Sequence, residues 1–232
     1  MSPLQVVFAL YPQVTQLDFT GPFEVLKRVP GATLTLASRI GGELRADSGI
    51  TFSGLVRLAE VDTPDVICVP GGYGVTAALR DVEYIAQVRR LGRAARYVTS
   101  VCSGSLILAA AGLLEGKRAA CHWAWRALLA EQGVAVDEGR VVHDGNVITG
   151  GGVTAGIDFA LSLTAELAGL ETAQEIQLAL EYDPRPSLDA GSPERAPTAV
   201  RARVQARARQ AYPERRQALL DARLRAAAHS LE

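Results

Sequence analysis

The chain of 232 residues contains no apolar run near the roughly 18 residues that a membrane-spanning helix needs. Its first residues, Met1-Ser2-Pro3-Leu4-Gln5, lack the basic start of a secretion leader. Its three cysteines are odd in number and irregularly spaced, which argues against a disulfide scaffold. The expectation is a cytoplasmic protein with free thiols and no membrane partner. Neither a Gly-x-Gly-x-x-Gly fingerprint nor a Walker loop occurs, so the common nucleotide signatures are missing. Cys102, Cys121 and His122 do not have zinc-ligand spacing, and no metal is expected. Lysine is almost absent, at Lys27 and Lys117 alone.

What is there has the balance of a globular chain. It is 48% hydrophobic and 21% charged with a net charge of −1, and it shows neither repeats nor low-complexity linkers. The length allows one large domain with a full core. Arginines crowd the tail, with eight between Arg201 and Arg225. A basic tail can mean nucleic acid, but this one lacks a helix-turn-helix pattern and an interleaved aromatic stacking surface. Alternating Arg and Ala make a solvated helix face, so no nucleic-acid partner is expected.

Apolar runs of strand type occur at Gln5 to Leu10, Thr33 to Ser38, Asp65 to Pro70 and Tyr97 to Val101. Helical spacing falls between them, at Gly21 to Val29, with Pro22 near the first turn, and at Val82 to Ala94. Gly41 to Gly54 reads as a hairpin or irregular excursion. Further helices are expected at Ser105 to Ala111, Trp123 to Gln132, about Thr154 to Ala168 and Thr172 to Leu180. Val141-Val142 and Asn146 to Thr149 read as paired strands, and Pro184 to Pro197 as a surface loop. This alternation predicts an α/β three-layer sandwich on a mostly parallel sheet. It forms a single domain over 1–232, with an Arg/Ala-rich helical extension from about 198.

In such sheets ligands sit at the carboxyl ends of strands, and two motifs fall there. Cys102 follows the strand Tyr97 to Val101 and precedes Ser103-Gly104-Ser105 and a helix. A sharp strand-to-helix turn exposes a nucleophile and aims the first helix amides at it, which favours the thiolate. The alternative is a small buried hydrophobe. The second motif is Val69-Pro70-Gly71-Gly72, where the amides of Gly71 and Gly72, with that of Ser103, are candidate donors to a developing anion. Asp18, flanked by Leu17 and Phe19, is a candidate acid if the fold brings it to Cys102; it could equally cap a helix. His122 is a possible base or pocket residue, and Gly150-Gly151-Gly152 a possible anion cradle or hinge, with Gly151 in the pocket. Cys68 lies inside a strand and reads as inert packing.

Together these motifs resemble the ThiJ/PfpI superfamily, whose fold is flavodoxin-like and akin to class I glutamine amidotransferases. Its marks here are Val69-Pro70-Gly71-Gly72, Ser100-Val101-Cys102-Ser103-Gly104-Ser105, Ala109 to Leu114 and His122-Trp123. Gln16 to Pro22, Thr149 to Ala160 and Gln177 to Tyr182 extend the likeness to bacterial isocyanide hydratases, over about residue 4 to about residue 228. The resemblance implies a homodimeric enzyme acting on a small-molecule isocyanide without a cofactor. Cys102 would attack the isocyanide carbon to give a thioimidate that water hydrolyses, with Asp18 handling the proton. Two departures bear on this. Many superfamily members carry Glu where this chain has Asp18, and the superfamily proteases place His where it has Ser103, which argues against peptidase activity. The rivals are a redox- or ligand-sensing domain of an AraC-like regulator, without its DNA-binding module, and a glyoxalase- or deglycase-type enzyme that would call on His122.

Overall fold

A computed structural model describes residues 4–228; Met1 to Pro3, read above for a leader, lie outside it. The chain runs β1 (Leu4–Leu10), α1 (Leu17–Leu26), β2 (Ala32–Ser38), a hairpin of β3 (Gly42–Arg45) and β4 (Thr51–Arg57), β5 (Val66–Val69), α2 (Val75–Arg80), α3 (Val82–Ala94) and β6 (Tyr97–Val101). It continues through α4 (Gly104–Ala110), β7 (Arg118–Ala119), α5 (Arg126–Ala130), β8 (Ala135–Val136), β9 (Val141–Asp144) and β10 (Val147–Gly150). It closes with α6 (Ala155–Ala168), α7 (Leu170–Ala179) and α8 (Thr198–Ala228).

Eight strands form one sheet in the order β3-β4-β2-β1-β5-β6-β10-β9. All neighbours are parallel except the two edge pairs, β3 with β4 and β10 with β9. The central strands are mostly apolar because helices cover both faces. Val66, Ile67, Cys68 and Val69 of β5 are all inaccessible to solvent. Helices α1, α6 and α7 pack together on one face, and α2, α3, α4, α5 and α8 on the other, giving the three-layer α/β sandwich. The fourth-to-fifth position of the sheet is its switch point: from β1 the chain crosses to β2 on one side, while β5 lies on the other. The carboxyl ends of β1, β5 and β6 therefore open on one crevice.

Local chemistry explains most elements. Asp81 caps α3 by accepting from the Tyr84 amide at 3.0 Å, and Tyr84, Ile85, Val88 and Leu91 turn the buried stripe inward. Several boundaries differ from the sequence reading. The first helix begins at Leu17, not Gly21, so Asp18 lies in its first turn and Pro22 in its second. Helix α2 and the two-stranded sheet of β7 and β8 are additional. The stretch from Trp123 divides into a 3-10 turn, Trp123–Trp125, and the short α5. Among the described residues no helix is long and apolar enough to cross a membrane.

The largest correction concerns the tail. Helix α8 is a solvated face only in part: Arg201, Arg203 and Arg209 are exposed, but Arg215, Ala218, Leu219 and Ala222 are buried. It docks on α2, α4 and the 3-10 turn. Tyr212 stacks on Trp125 with ring centroids 6.2 Å apart, and Arg216 pairs with Glu131 at 2.6 Å. Its small and apolar positions recur at helical spacing, which is what lets an Arg-rich helix lie down on a core.

Candidate active site

The site begins with the backbone of Cys102. Its φ is 60°, a left-handed conformation that costs a non-glycine residue roughly 1–2 kcal/mol. Three neighbours hold it there. The Cys102 amide donates to the Gly150 carbonyl at 3.0 Å, and the His122 amide donates to the Cys102 carbonyl at 3.3 Å. Gly104 provides the third restraint, because a Cβ at that position would lie 2.0 Å from the Val69 carbonyl oxygen. Strand β5 and the start of α4 can touch only with glycine there.

Asp18 reaches the same point from α1. It is fully buried, and its Oδ2 accepts the Gly71 amide at 2.8 Å. A Cβ on Gly71 would fall 2.6 Å from the Ser103 amide nitrogen and 2.9 Å from Asp18 Oδ2, so this glycine lets the carboxylate and the elbow share one amide-lined corner. The Gly72 amide donates to Ser103 Oγ at 3.3 Å. Both glycine amides are thus committed, and the sequence reading of them as free donors to a developing anion is corrected. The Ser103 amide is the donor that faces the Cys102 sulfur.

Burial pushes the Asp18 carboxyl up to about 7, while the Gly71 amide and the Cys102 thiol pull it down and the Asp47 charge adds to the rise. Its Oδ1 is sealed from solvent without a hydrogen-bond partner among the described residues. The Cys102 thiol is pushed well up, first by burial, then by the charge of Asp18, with the Ser103 amide acting against both. The expectation that helix amides leave a resting thiolate is corrected: burial outweighs them. The resting arrangement is a thiol beside a carboxyl close to half-protonated near neutrality.

The other predicted residues divide. His122 lines the cavity, but its Nδ1 accepts the Ala124 amide at 3.3 Å, which places the ring proton on Nε2. Burial, with the charges of Arg126 and Arg215, lowers its pKa, so it is a neutral donor with no free lone pair for a Cys-His pair. Gly151 does not line the cavity. Its amide donates to the Arg140 carbonyl at 2.9 Å. Val153, two residues on, takes the wall position. Cys68 is inaccessible, with its thiol pushed up to about 12 by burial.

Over Cys102 opens a cavity of about 290 Å³ with mostly apolar walls. Thr15, Tyr73, Trp125 and Val153 form part of it, and α8 closes one side with Val204, Arg207, Ala208, Ala211 and Arg215. None of these was singled out from the sequence. The helical spacing of Val204, Ala208, Ala211 and Arg215 is the signal that could have found the α8 wall.

Comparison with known proteins fits this geometry. The DJ-1/PfpI family model matches residues 4–166. The isonitrile hydratase of Pseudomonas putida is 46% identical over 197 residues, covering 85% of this chain and 86% of that protein. Protein dj-1beta of Drosophila melanogaster is 30% identical over 171 residues, 72% of this chain and 91% of that one. Among solved structures, a ThiJ/PfpI family protein from Pseudomonas syringae superposes with a TM-score of 0.91 at 38% identity, covering 94% of this chain and 91% of its own.

Proposed function

The chain belongs to the DJ-1/PfpI family, and from that premise we propose that it is a cysteine-dependent hydratase converting isocyanides to N-substituted formamides. The observation that carries this reading is the pair at the foot of the cavity: a strained Cys102 with the buried Asp18 carboxyl beside it. The likeness to the P. putida isonitrile hydratase supports the substrate class.

The chemistry suits the pair. An isocyanide carbon carries a lone pair and an accessible acceptor orbital, so it takes a sulfur nucleophile and a proton at the same atom. In the first step the Cys102 proton passes through Asp18 as Sγ bonds to that carbon, and the carbon receives the proton, leaving a neutral thioimidate. A carboxyl near half-protonation at neutral pH can take and return this proton with little cost in either direction. Water then adds to the C=N carbon, the nitrogen gains a proton, the C–S bond breaks and the thiol is restored. One water is consumed, and a thiol and a carboxyl suffice. The Ser103 amide is placed to steady the sulfur as charge develops on it. The apolar wall suits the organic substituent of the substrate and keeps bulk water from competing.

The glyoxalase-type reading is not favoured, because His122 spends its acceptor nitrogen on the Ala124 amide. Nor is the regulator reading, because α8 is docked over the cavity rather than leading away from it. The homodimer and the cytoplasmic location implied by the resemblance stand as parts of the proposal. The test is direct: purified protein incubated with cyclohexyl isocyanide yields the formamide, and Cys102→Ala yields none. Absence of turnover over a panel of alkyl and aryl isocyanides overturns the reading.

A further inference from the structure

Two of the residues that line the cavity, Arg207 and Arg215, carry positive charge, and none of the lining residues is a carboxylate. Arg215, on α8, is 3% exposed and lines the cavity with Cys102. Its guanidinium carbon lies 4.0 Å from the centre of the Trp125 ring. Nε donates to Thr76 Oγ1 at 3.2 Å, and Nη2 makes only long contacts, 3.5 Å and 3.4 Å, to the carbonyls of Gly72 and Tyr73. Nη1 has no hydrogen bond among the described residues. Arg207 lines the same wall two turns earlier and, among the described residues, has no ion pair.

The neighbours on the outer side of α8 behave differently. Arg216, exposed, finds Glu131 at 2.6 Å, and Glu214 finds Arg80 at 2.7 Å. Arg215 differs from both: it is buried, and among the described residues no carboxylate pairs with it. A buried guanidinium held flat by a ring on a cavity wall, with one amino group unbonded, has the form of an anion receiver. The charge that forms at Cys102 during reaction does not account for both arginines, since Arg207 lies about 12 Å further along the helix axis. A substrate that brings its own anion meets this charge.

Resting on the hydratase reading, we infer that the cavity selects isocyanides that carry a carboxylate, received by the unbonded amino group of Arg215 with Arg207 adding attraction at the mouth. The simplest member of the class is isocyanoacetate, in which one carbon separates the isocyanide nitrogen from the carboxylate. Its hydration product is an N-formyl amino acid.

The experiment compares isocyanoacetate with its neutral ethyl ester. Wild-type enzyme favours the acid by about tenfold or more in kcat/KM, mainly through KM, as a ground-state contact requires. Equal turnover, or preference for the ester, overturns the inference. In Arg215→Gln the ratio of acid to ester falls toward one, and Arg215→Lys keeps part of it; an undiminished ratio in Arg215→Gln also overturns the inference. A second readout needs neither turnover nor a variant. N-formylglycinate slows alkylation of Cys102 by iodoacetamide in the wild type, whereas N-formylglycinamide does so weakly; equal protection by the two overturns the anion site. If neither isocyanide is turned over the hydratase reading fails, and the protection experiment still decides the anion site.

Discussion

The elbow at Cys102 and the helix α8 face each other across one cavity, yet different physics brings each to its place. The elbow is fixed by close approach. Gly104 sits where any side chain would strike the Val69 carbonyl, and the glycine at 71 lets an amide reach Asp18. Helix α8 is fixed by a docked face instead, with Ala218, Leu219 and Ala222 buried and the Arg215 guanidinium lying on Trp125. One region tolerates no added atom, and the other depends on many modest contacts. Each also buries an ionisable group. On the elbow side Asp18 meets the cost of burial by holding its proton more tightly, while Arg215 cannot, because a guanidinium does not lose its charge in the accessible range. That difference leaves Asp18 able to exchange its proton near neutrality and Arg215 a permanent charge.

The comparison can be broken at three points, in decreasing order of effect. Gly104→Ala places a methyl 2.0 Å from a backbone oxygen, so its cost exceeds about 4 kcal/mol and folded protein is not recovered. Circular dichroism of an intact, wild-type-stable variant would contradict the close-approach account. Asp18→Asn acts on stability and activity in opposite directions. The carboxyl pKa is raised from its ordinary 3.8 to about 7 on folding, so the native state holds the proton more tightly than the unfolded chain. The resulting cost to stability is absent below about pH 4, grows as pH rises and is complete above about pH 8. The Asn variant therefore gains up to about 4 kcal/mol over wild type at alkaline pH and little in acid, while losing about a hundredfold or more in kcat. Thermal melts across that range check the sign, and a melting difference independent of pH would remove the buried charge from the account. Leu219→Ala opens a cavity under α8 and costs about 3 kcal/mol. Because the helix walls the cavity, kcat/KM for isocyanide falls with the melting temperature; a destabilised variant of full activity would separate α8 from the site.

Much of the elbow was legible in the chain. Its chemistry lies within one short segment, where a strand-type run, a cysteine and three small residues announce the turn. The placement of Asp18 was legible only through the family resemblance, because spacing cannot bring residue 18 to residue 102. The helix containing it was read four residues late, since Pro22 was taken to mark a first turn and lies in the second. The state of the thiol was read the wrong way: helix amides are visible in a sequence, but the burial that outweighs them is not. The glycine amides were misread for a related reason, since the sequence shows a donor without showing that Asp18 and Ser103 already occupy it.

By itself the sequence determined the layered α/β architecture and the position of the elbow cysteine. Alternating apolar runs and small residues at a turn are local patterns, and local sterics and burial enforce them wherever they occur. Only the tertiary structure decided which charged groups surround that cysteine. Asp18 arrives because β1 and β6 end on the same crevice, with β5 between them. Arg215 arrives because a helix that reads as solvated carries just enough small and apolar side chains on one face to lie across the cavity. The spacing along α8 marks a face without saying what it covers, and nothing local marks where Asp18 goes, because each contact is set by packing between segments far apart in sequence.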